Sequence, residues 1–292
     1  MAHTYFHTFD IRHDECDVYG HLNNAVYLRY MQESAFRASA DAGLDEAAFH
    51  AMGRFWLIRG HEIEYLHPVR GGETIEIKTW NLGVRRTMAR RAYEIYLHPS
   101  RLLAARAHTD WVFLDRQSLL PTTIPPDVIA AYLDPEEASQ PLPKTAFPKP
   151  DPAPEGVFRV QKRVEWRDLD AMQHLNNAVY PSYAEDAAMQ LADHFGWSFK
   201  DWLKDGLAFV TRRHRIKYSL SATYEDMLEI ATWLYNVRRT SATRYYSFHR
   251  QVDGALLAQM ETLWALVNLE TGKPTRFPET FFETIGSNIS SG

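Results

Sequence analysis

The residues best placed to do chemistry stand in one short run, Asp17-Val18-Tyr19-Gly20-His21-Leu22-Asn23-Asn24, directly before an apolar segment. A loop aspartate can serve as general base on a water molecule, or can itself attack a carbonyl carbon. Asn23 or Asn24 can cap the helix that follows by accepting from one of its first N–H groups. Those amides face back into the loop, where the helix dipole favours negative charge and a polarised carbonyl oxygen could be held as in an oxyanion hole. The same residue types also have a plainer use. Asp and Asn often cap helix starts, and a single histidine is often only a hydrogen-bond partner.

The run occurs twice. Asp170-Ala171-Met172-Gln173-His174-Leu175-Asn176-Asn177 repeats it 153 residues later. The same offset lays Tyr30 on Tyr183 and Gly43 on Gly196. It lays Arg59, His61, Ile63 and Tyr65 on Arg212, His214, Ile216 and Tyr218. Thr79-Trp80 falls on Thr232-Trp233, Arg85-Arg86-Thr87 on Arg238-Arg239-Thr240, and Trp111 on Trp264. A constant offset over such distances marks a duplicated domain, and its period is far too long for a solenoid. Duplication copies structure as well as function, so the doubling alone does not separate catalysis from capping.

The elements that must position the run follow the same plan in each copy. A strand (about 3–11, and 157–166) leads into the polar loop. A helix of about five turns follows (24–42 and 177–195), with apolar residues such as Val26, Tyr27, Tyr30, Met31, Ala35 and Phe36 over much of its circumference, which implies burial. Four strands come next, near 54–68, 73–84, 87–98 and 102–115 in the first copy. Ile75, Ile77 and Thr79 alternate there with Glu76 and Lys78. A short helix closes each copy (about 125–133, and 278–285). One long helix followed by an antiparallel meander implies an α+β domain whose sheet wraps the helix. Pro181 stands where the first copy has Leu28; with no N–H, it should delay or kink the second helix start. Between the copies lie Pro135, Pro141, Pro143, Pro148, Pro150, Pro152 and Pro154. Their fixed φ and missing donors should keep the stretch out of helix and sheet. The expected organisation is a first domain over 1–134, a proline-rich linker over 135–156 and a second domain over 157–292.

Taken together, the loop resembles the signature of hotdog-fold thioesterases, Asp-x-x-(Gly/Gln)-His-x-Asn-Asn-x-x-Tyr. The first copy is similar to single-hotdog acyl-CoA thioesterases of the 4-hydroxybenzoyl-CoA thioesterase type. The second is similar to the catalytic repeat of plant-type acyl-ACP thioesterases. The resemblance covers nearly the whole chain outside the linker. It implies two tandem hotdog domains packed as a pseudo-dimer, a thioester hydrolase activity, and an acyl-CoA or acyl-ACP substrate, with no cofactor and no metal. It also implies that Asp17 and Asp170 are the catalytic carboxylates and that His21 and His174 assist them. Asn23, Asn24, Asn176 and Asn177 would form the helix cap and oxyanion site. Some relatives use an acid on the helix, for which Glu33 and Glu185 are the candidates; by offset Glu185 matches Gln32, and Glu33 matches Asp186. Where the acyl-ACP branch has Asn two residues after the Asp, this chain has Tyr19 and Met172.

Other features narrow the reading. Arg85, Arg86, Arg238 and Arg239, with Arg90, Arg91 and Arg244 beyond them, could hold the phosphates of coenzyme A or phosphopantetheine, or simply guard a hairpin edge. His61 and His214 share a strand face with apolar residues and read as core or interface histidines. The chain has one cysteine, Cys16, so it forms no internal disulfide and no Cys-based metal cluster. Cys16 becomes Leu169 in the second copy, which argues against a nucleophile. A net charge of −5 points to neither nucleic acid nor an anionic membrane surface. With no signal-peptide pattern and no long apolar span, the expected location is the cytoplasm. A homodimer of the chain is a further expectation. Two alternatives stay open. One is an acyl-thioester binding or sensing module without catalysis. The other is a hotdog dehydratase or hydratase, for which no His-rich signature is found.

Overall fold

The computed structural model describes residues 3–142 and 146–290. The chain divides into two compact units, Met1–Ala146 and Phe147–Gly292.

In the first unit, β1 (Tyr5–Asp10) leads through a short 3-10 turn at His13–Glu15 to the loop and then to α1 (Asn24–Asp41). A small helix, α2 (Glu46–Ala51), precedes four long strands: β2 (Arg54–Tyr65), β3 (Thr74–Arg85), β4 (Met88–His98) and β5 (Leu102–Asp115). Two short helices follow, α3 (Pro126–Tyr132) and α4 (Pro135–Ser139). The strands form an antiparallel sheet in the order β1-β3-β4-β5-β2. The second unit repeats the plan with β6 (Phe158–Arg163), α5 (Tyr180–His194), α6 (Phe199–Lys204), β7 (Leu207–Tyr218), β8 (Met227–Tyr235), β9 (Ser241–Arg250), β10 (Leu256–Asn268) and α7 (Glu279–Ile285). Its sheet order is β6-β8-β9-β10-β7. Each unit is thus the α+β hotdog arrangement, one long helix against a five-stranded antiparallel sheet.

The helix lies on the sheet because its apolar residues recur at helical spacing. Ala25, Leu28, Met31, Ala35 and Ala38 are buried along α1, against sheet residues such as Ile63, Ile75, Ile77 and Ile95, all fully buried. Burial of each such side chain is worth about 1.5–3 kcal/mol. Phe36 does not join this core. It is 53% exposed and meets Trp111 of β5 edge-on.

Two details differ from the sequence reading. The small helices α2 and α6 are too short to carry a periodic signal, although each has an N-cap, Asp45 and Ser198. Helix α4 lies in the proline-rich stretch that was expected to exclude helix: Pro135 occupies the first turn, where its missing N–H costs nothing, and Asp134 caps it with Glu137 in a capping box. Beyond it, no strand or helix is assigned among the described residues up to β6; Pro143 lies outside the described residues. Pro181 does delay its helix: residues Asn177–Val179 form a 3-10 turn, and α5 begins at Tyr180.

Candidate active site

The loop is built on its own backbone. Cys16 and Leu22 pair as an antiparallel bridge, the Asp17 N–H donates to the His21 carbonyl at 2.7 Å, and the Gly20 N–H donates to the Asp17 carbonyl at 2.9 Å. This turn needs a left-handed residue at its fourth position, and Gly20 supplies it with φ +73°. In the second unit Gln173 takes the same place with φ +62°, and the bonds Asp170 N–H to His174 C=O (2.8 Å) and Gln173 N–H to Asp170 C=O (2.9 Å) repeat.

The aspartate side chain ties the loop together. Asp17 Oδ1 accepts from the amides of Tyr19 (2.9 Å) and His21 (3.0 Å). Asp170 Oδ1 accepts from Met172 (2.9 Å) and His174 (3.2 Å). The loop amides use Oδ1 alone, which fixes the carboxylate while leaving Oδ2 for water. Asp17 and His21 are therefore joined through backbone groups rather than by an imidazole–carboxylate bond. The His21 ring is half-buried, and burial holds its pKa below the ordinary value; Asp17 opposes that shift and Arg70 adds to it. The ring is neutral near pH 7, able to donate from one nitrogen and accept at the other. The Tyr19 phenol is pushed up to about 12, by burial first and by the charge of Asp17 second, so it too is a neutral donor. Its counterpart Met172 is 41% exposed.

Asn23 is the helix cap. Its side chain accepts from the Ala25 N–H at 2.9 Å and its carbonyl from the Val26 N–H at 3.0 Å. Asn176 does the same for Ala178 and Val179, both at 2.9 Å. An oxyanion at this helix start would share its field but compete with the cap for these two amides. Asn24 and Asn177 act through their carbonyls, which accept from the hydroxyls of Tyr65 (3.1 Å) and Tyr218 (2.8 Å).

A tyrosine–carboxylate pair beside the loop was not singled out from the sequence. The Tyr30 hydroxyl donates to Glu15 Oε2 at 2.5 Å, and Tyr183 to Asp168 Oδ2 at 2.5 Å. The Glu15 and Asp168 carbonyls also accept from Asn23 and Asn176, so residues 15 and 168 lock loop to helix from both main chain and side chain. The signal was present: an acid two residues before each loop aspartate, and a tyrosine three residues after Tyr27 and Tyr180.

The remaining candidates scatter. Glu33 forms an exposed i,i+4 pair with Arg37 at 2.6 Å, worth only a few tenths of a kcal/mol, about 0.3–0.5. Glu185 is partly buried on α5, close enough to act electrostatically on Tyr246. Arg85, Arg86, Arg238 and Arg239 are exposed around the β3–β4 and β8–β9 turns, away from neither solvent nor a passing phosphate. Arg90 instead makes a forked pair with Asp110 (2.6 and 2.9 Å). His61 and His214 are buried, bonded to Thr109 and Thr262 at 2.9 Å, and burial holds both at about 3. The Cys16 thiol is raised by burial and then by Asp17, opposite to what a nucleophile needs. No group of His, Cys, Asp and Glu able to hold a metal is found among the described residues, and no described helix is long and apolar enough to cross a membrane.

Against known proteins, a family model described as "Thioesterase-like superfamily" matches residues 11–132 and again 164–285. The Acyl-CoA thioester hydrolase YbgC of Escherichia coli is 29% identical over 127 residues, which is 42% of this chain and 92% of that protein. The chloroplastic acyl-[acyl-carrier-protein] hydrolase FATB2 of Cuphea viscosissima is 24% identical over 187 residues, 59% of this chain but only 44% of that one. Among solved structures, the 12:0-ACP thioesterase from Umbellularia californica superposes with a TM-score of 0.71 at 16% identity, covering 90% of this chain and 94% of that one. At that identity the match speaks for the fold.

Proposed function

The chain belongs to the thioesterase-like superfamily, and from that premise we propose that it hydrolyses acyl thioesters of coenzyme A or acyl carrier protein. The observation that carries this reading is the doubled loop, in which two amides fix one carboxylate oxygen of Asp17 or Asp170. In this reading Oδ2 of the aspartate takes a proton from water, or attacks the thioester carbon directly. The thioester oxygen lies at the helix start, where the dipole favours its developing charge. The neutral His21 ring orients the water or donates to the carbonyl, and His174 does so in the second unit. Arg85, Arg86, Arg238 and Arg239 offer their charge to the carrier's phosphates. The protein acts in the cytoplasm.

One observation favours a second reading, a binding module without catalysis: the aspartate already has structural work in capping the loop. Asp→Asn separates the two, because the amide oxygen can still accept from both loop amides while the base is gone. Thiol release from a panel of acyl-CoA and acyl-ACP substrates tests hydrolysis. Wild-type turnover that falls to background in D17N/D170N supports it. Background rates in wild type with ligands still bound support the binding module.

A further inference from the structure

The second unit holds a cavity that the loop chemistry does not use. It lies between the C-terminal half of α5 and the sheet and opens to solvent. Its wall is apolar and aromatic, including Leu191, Trp197, Trp202, Phe209, Phe281 and Ile285. One charged side chain lines it, Arg244. Arg244 is only 7% exposed, and its Nη1 is buried with no hydrogen-bond partner among the described residues. A guanidinium stays protonated in proteins, and a buried charge with no partner is costly. Burial holds the Arg244 pKa below its ordinary value, and the neighbour that opposes this is Tyr246, not a carboxylate.

In the first unit the same position is packed against the protein's own side chains. Arg91, the counterpart of Arg244 at the 153-residue offset, lies 5.6 Å from the centroid of the Tyr132 ring, a cation–π contact. Its Nη1 also donates to Thr79 Oγ1 at 3.5 Å. Tyr132 is held in place by a hydrogen bond to Ser39. At the matching positions the second unit has Ile285 for Tyr132 and Ala192 for Ser39. Both replacements remove polar bulk, both line the cavity, and together they take away the ring that faces the arginine.

We propose that this cavity is a binding site for an aliphatic chain bearing a carboxylate, with the chain among the aromatic side chains and the carboxylate on Arg244. An apolar wall supplies non-directional affinity in proportion to the area covered. The guanidinium supplies the forked, charge-assisted pair that distinguishes a carboxylate from an alcohol or an amine. The carboxylate has two sources: a free fatty acid, or the far end of an ω-carboxyacyl thioester. The binding site does not depend on the hydrolytic reading.

Calorimetric titration of the full chain with octanoate, octan-1-ol and octylamine tests the site without any variant. Octanoate is expected to bind at least tenfold more tightly than octanol, with octylamine weaker than either. Arg244→Met should remove that preference, and Ile285→Tyr, which restores the first unit's ring, should abolish binding while a thermal melt shows the chain still folded. Equal affinity for octanoate and octanol in wild type, or unchanged octanoate affinity in R244M, overturns the proposal. The source is then read from thiol release by suberyl-CoA and octanoyl-CoA. A preference for suberyl-CoA that R244M loses marks the thioester's own end as the ligand; no preference, with octanoate still bound, marks a free acid.

Discussion

The two units agree at their loops and part at the far ends of their helices. Every loop bond of Asp17 recurs at Asp170, and in each unit an asparagine caps the helical turn after the loop, Asn23 that of α1 and Asn176 that of the 3-10 turn before α5, through the matching pair of amides. At the other end, one unit covers its buried arginine with Tyr132 while the other opens a cavity beside it. A duplicated fold can therefore keep one loop geometry twice and still pack the far ends of its two copies differently. The differences nearer the loop are smaller: Tyr19 against the exposed Met172, Gly20 against Gln173, and Leu28 against Pro181.

The most direct way to break the agreement between the loops is to disable them one at a time. Asp17→Asn and Asp170→Asn keep a side-chain oxygen for the loop amides, so each should leave the melting temperature nearly unchanged. Removing a positioned general base costs about 10²–10⁴ in rate. We expect D17N to lose most of kcat, because its loop also holds a half-buried neutral phenol and an undelayed helix. If D170N carries the larger loss, the second unit is the working one. Asp17→Ala should cost about 1 kcal/mol of stability in addition, as loss of a cap does; chemical denaturation of the three variants separates the roles.

Acid should break both units alike. His61 and His214 sit near 3 in the folded chain against 6.5 when unfolded. Their folded-state pKa values are lowered, so the unfolded chain binds more protons and stability falls as pH drops through 6.5 toward 3. Between pH 7 and 5 each histidine accounts for about 2 kcal/mol. Urea unfolding at the two pH values should show a drop near 4 kcal/mol, and H61Q/H214Q should flatten that drop. A curve equally steep in the double variant would place the acid sensitivity elsewhere.

Pro181 makes a subtler difference. In α1 the Asn24 carbonyl accepts from Tyr65 and also from the regular i→i−4 donor, the Leu28 N–H. Pro181 has no N–H, so the Asn177 carbonyl keeps only the tighter i→i−3 donor of its 3-10 turn, the Tyr180 N–H, beside the Tyr218 hydroxyl, which lies at 2.8 Å rather than 3.1 Å. Both hydroxyls supplement a backbone donor, so Tyr218→Phe and Tyr65→Phe should each cost about 0.5–1.5 kcal/mol, with the larger loss at Tyr218, whose carbonyl has the poorer 3-10 bond. Denaturant midpoints of the two variants measure the gap, and equal losses would show that the proline is compensated in another way.

The sequence carried the architecture because its strongest signals were long: a gapless repeat, a five-turn apolar helix, and strands of nine to fourteen residues. It also carried the loop, since Asp17, His21 and Asn23 stand within seven residues of one another. What it hid was set by contacts distant in the chain. Glu15 meets Tyr30 across the loop, Tyr65 reaches the Asn24 carbonyl from a strand, and Tyr132 covers Arg91 from a closing helix. The arginines near the β3–β4 and β8–β9 turns look alike in a row, yet the turn leaves Arg85 and Arg86 in solvent while strand alternation sends Arg90 to Asp110 and Arg91 to the core. Helices α2, α4 and α6 escaped because five or six residues hold too few turns for a periodic pattern.

The smallest expected effect concerns the turn itself. Gln173 holds a left-handed conformation that Gly20 holds without a Cβ. An L-residue loses about 1–2 kcal/mol there, and glycine returns about 0.5–1 of that by loosening the unfolded chain. Gln173→Gly should thus stabilise the protein by about 0.5–1 kcal/mol, while Gly20→Gln should destabilise it by a similar amount. Nothing lies within 4 Å of a Cβ built on Gly20, so the strain there is conformational rather than steric crowding by neighbours. A pair of denaturation curves with shifts of opposite sign and like size would show that the two loops obey one geometry. A Gln173→Gly curve that shifts the other way would show that the glutamine side chain contributes more than its backbone strain takes away.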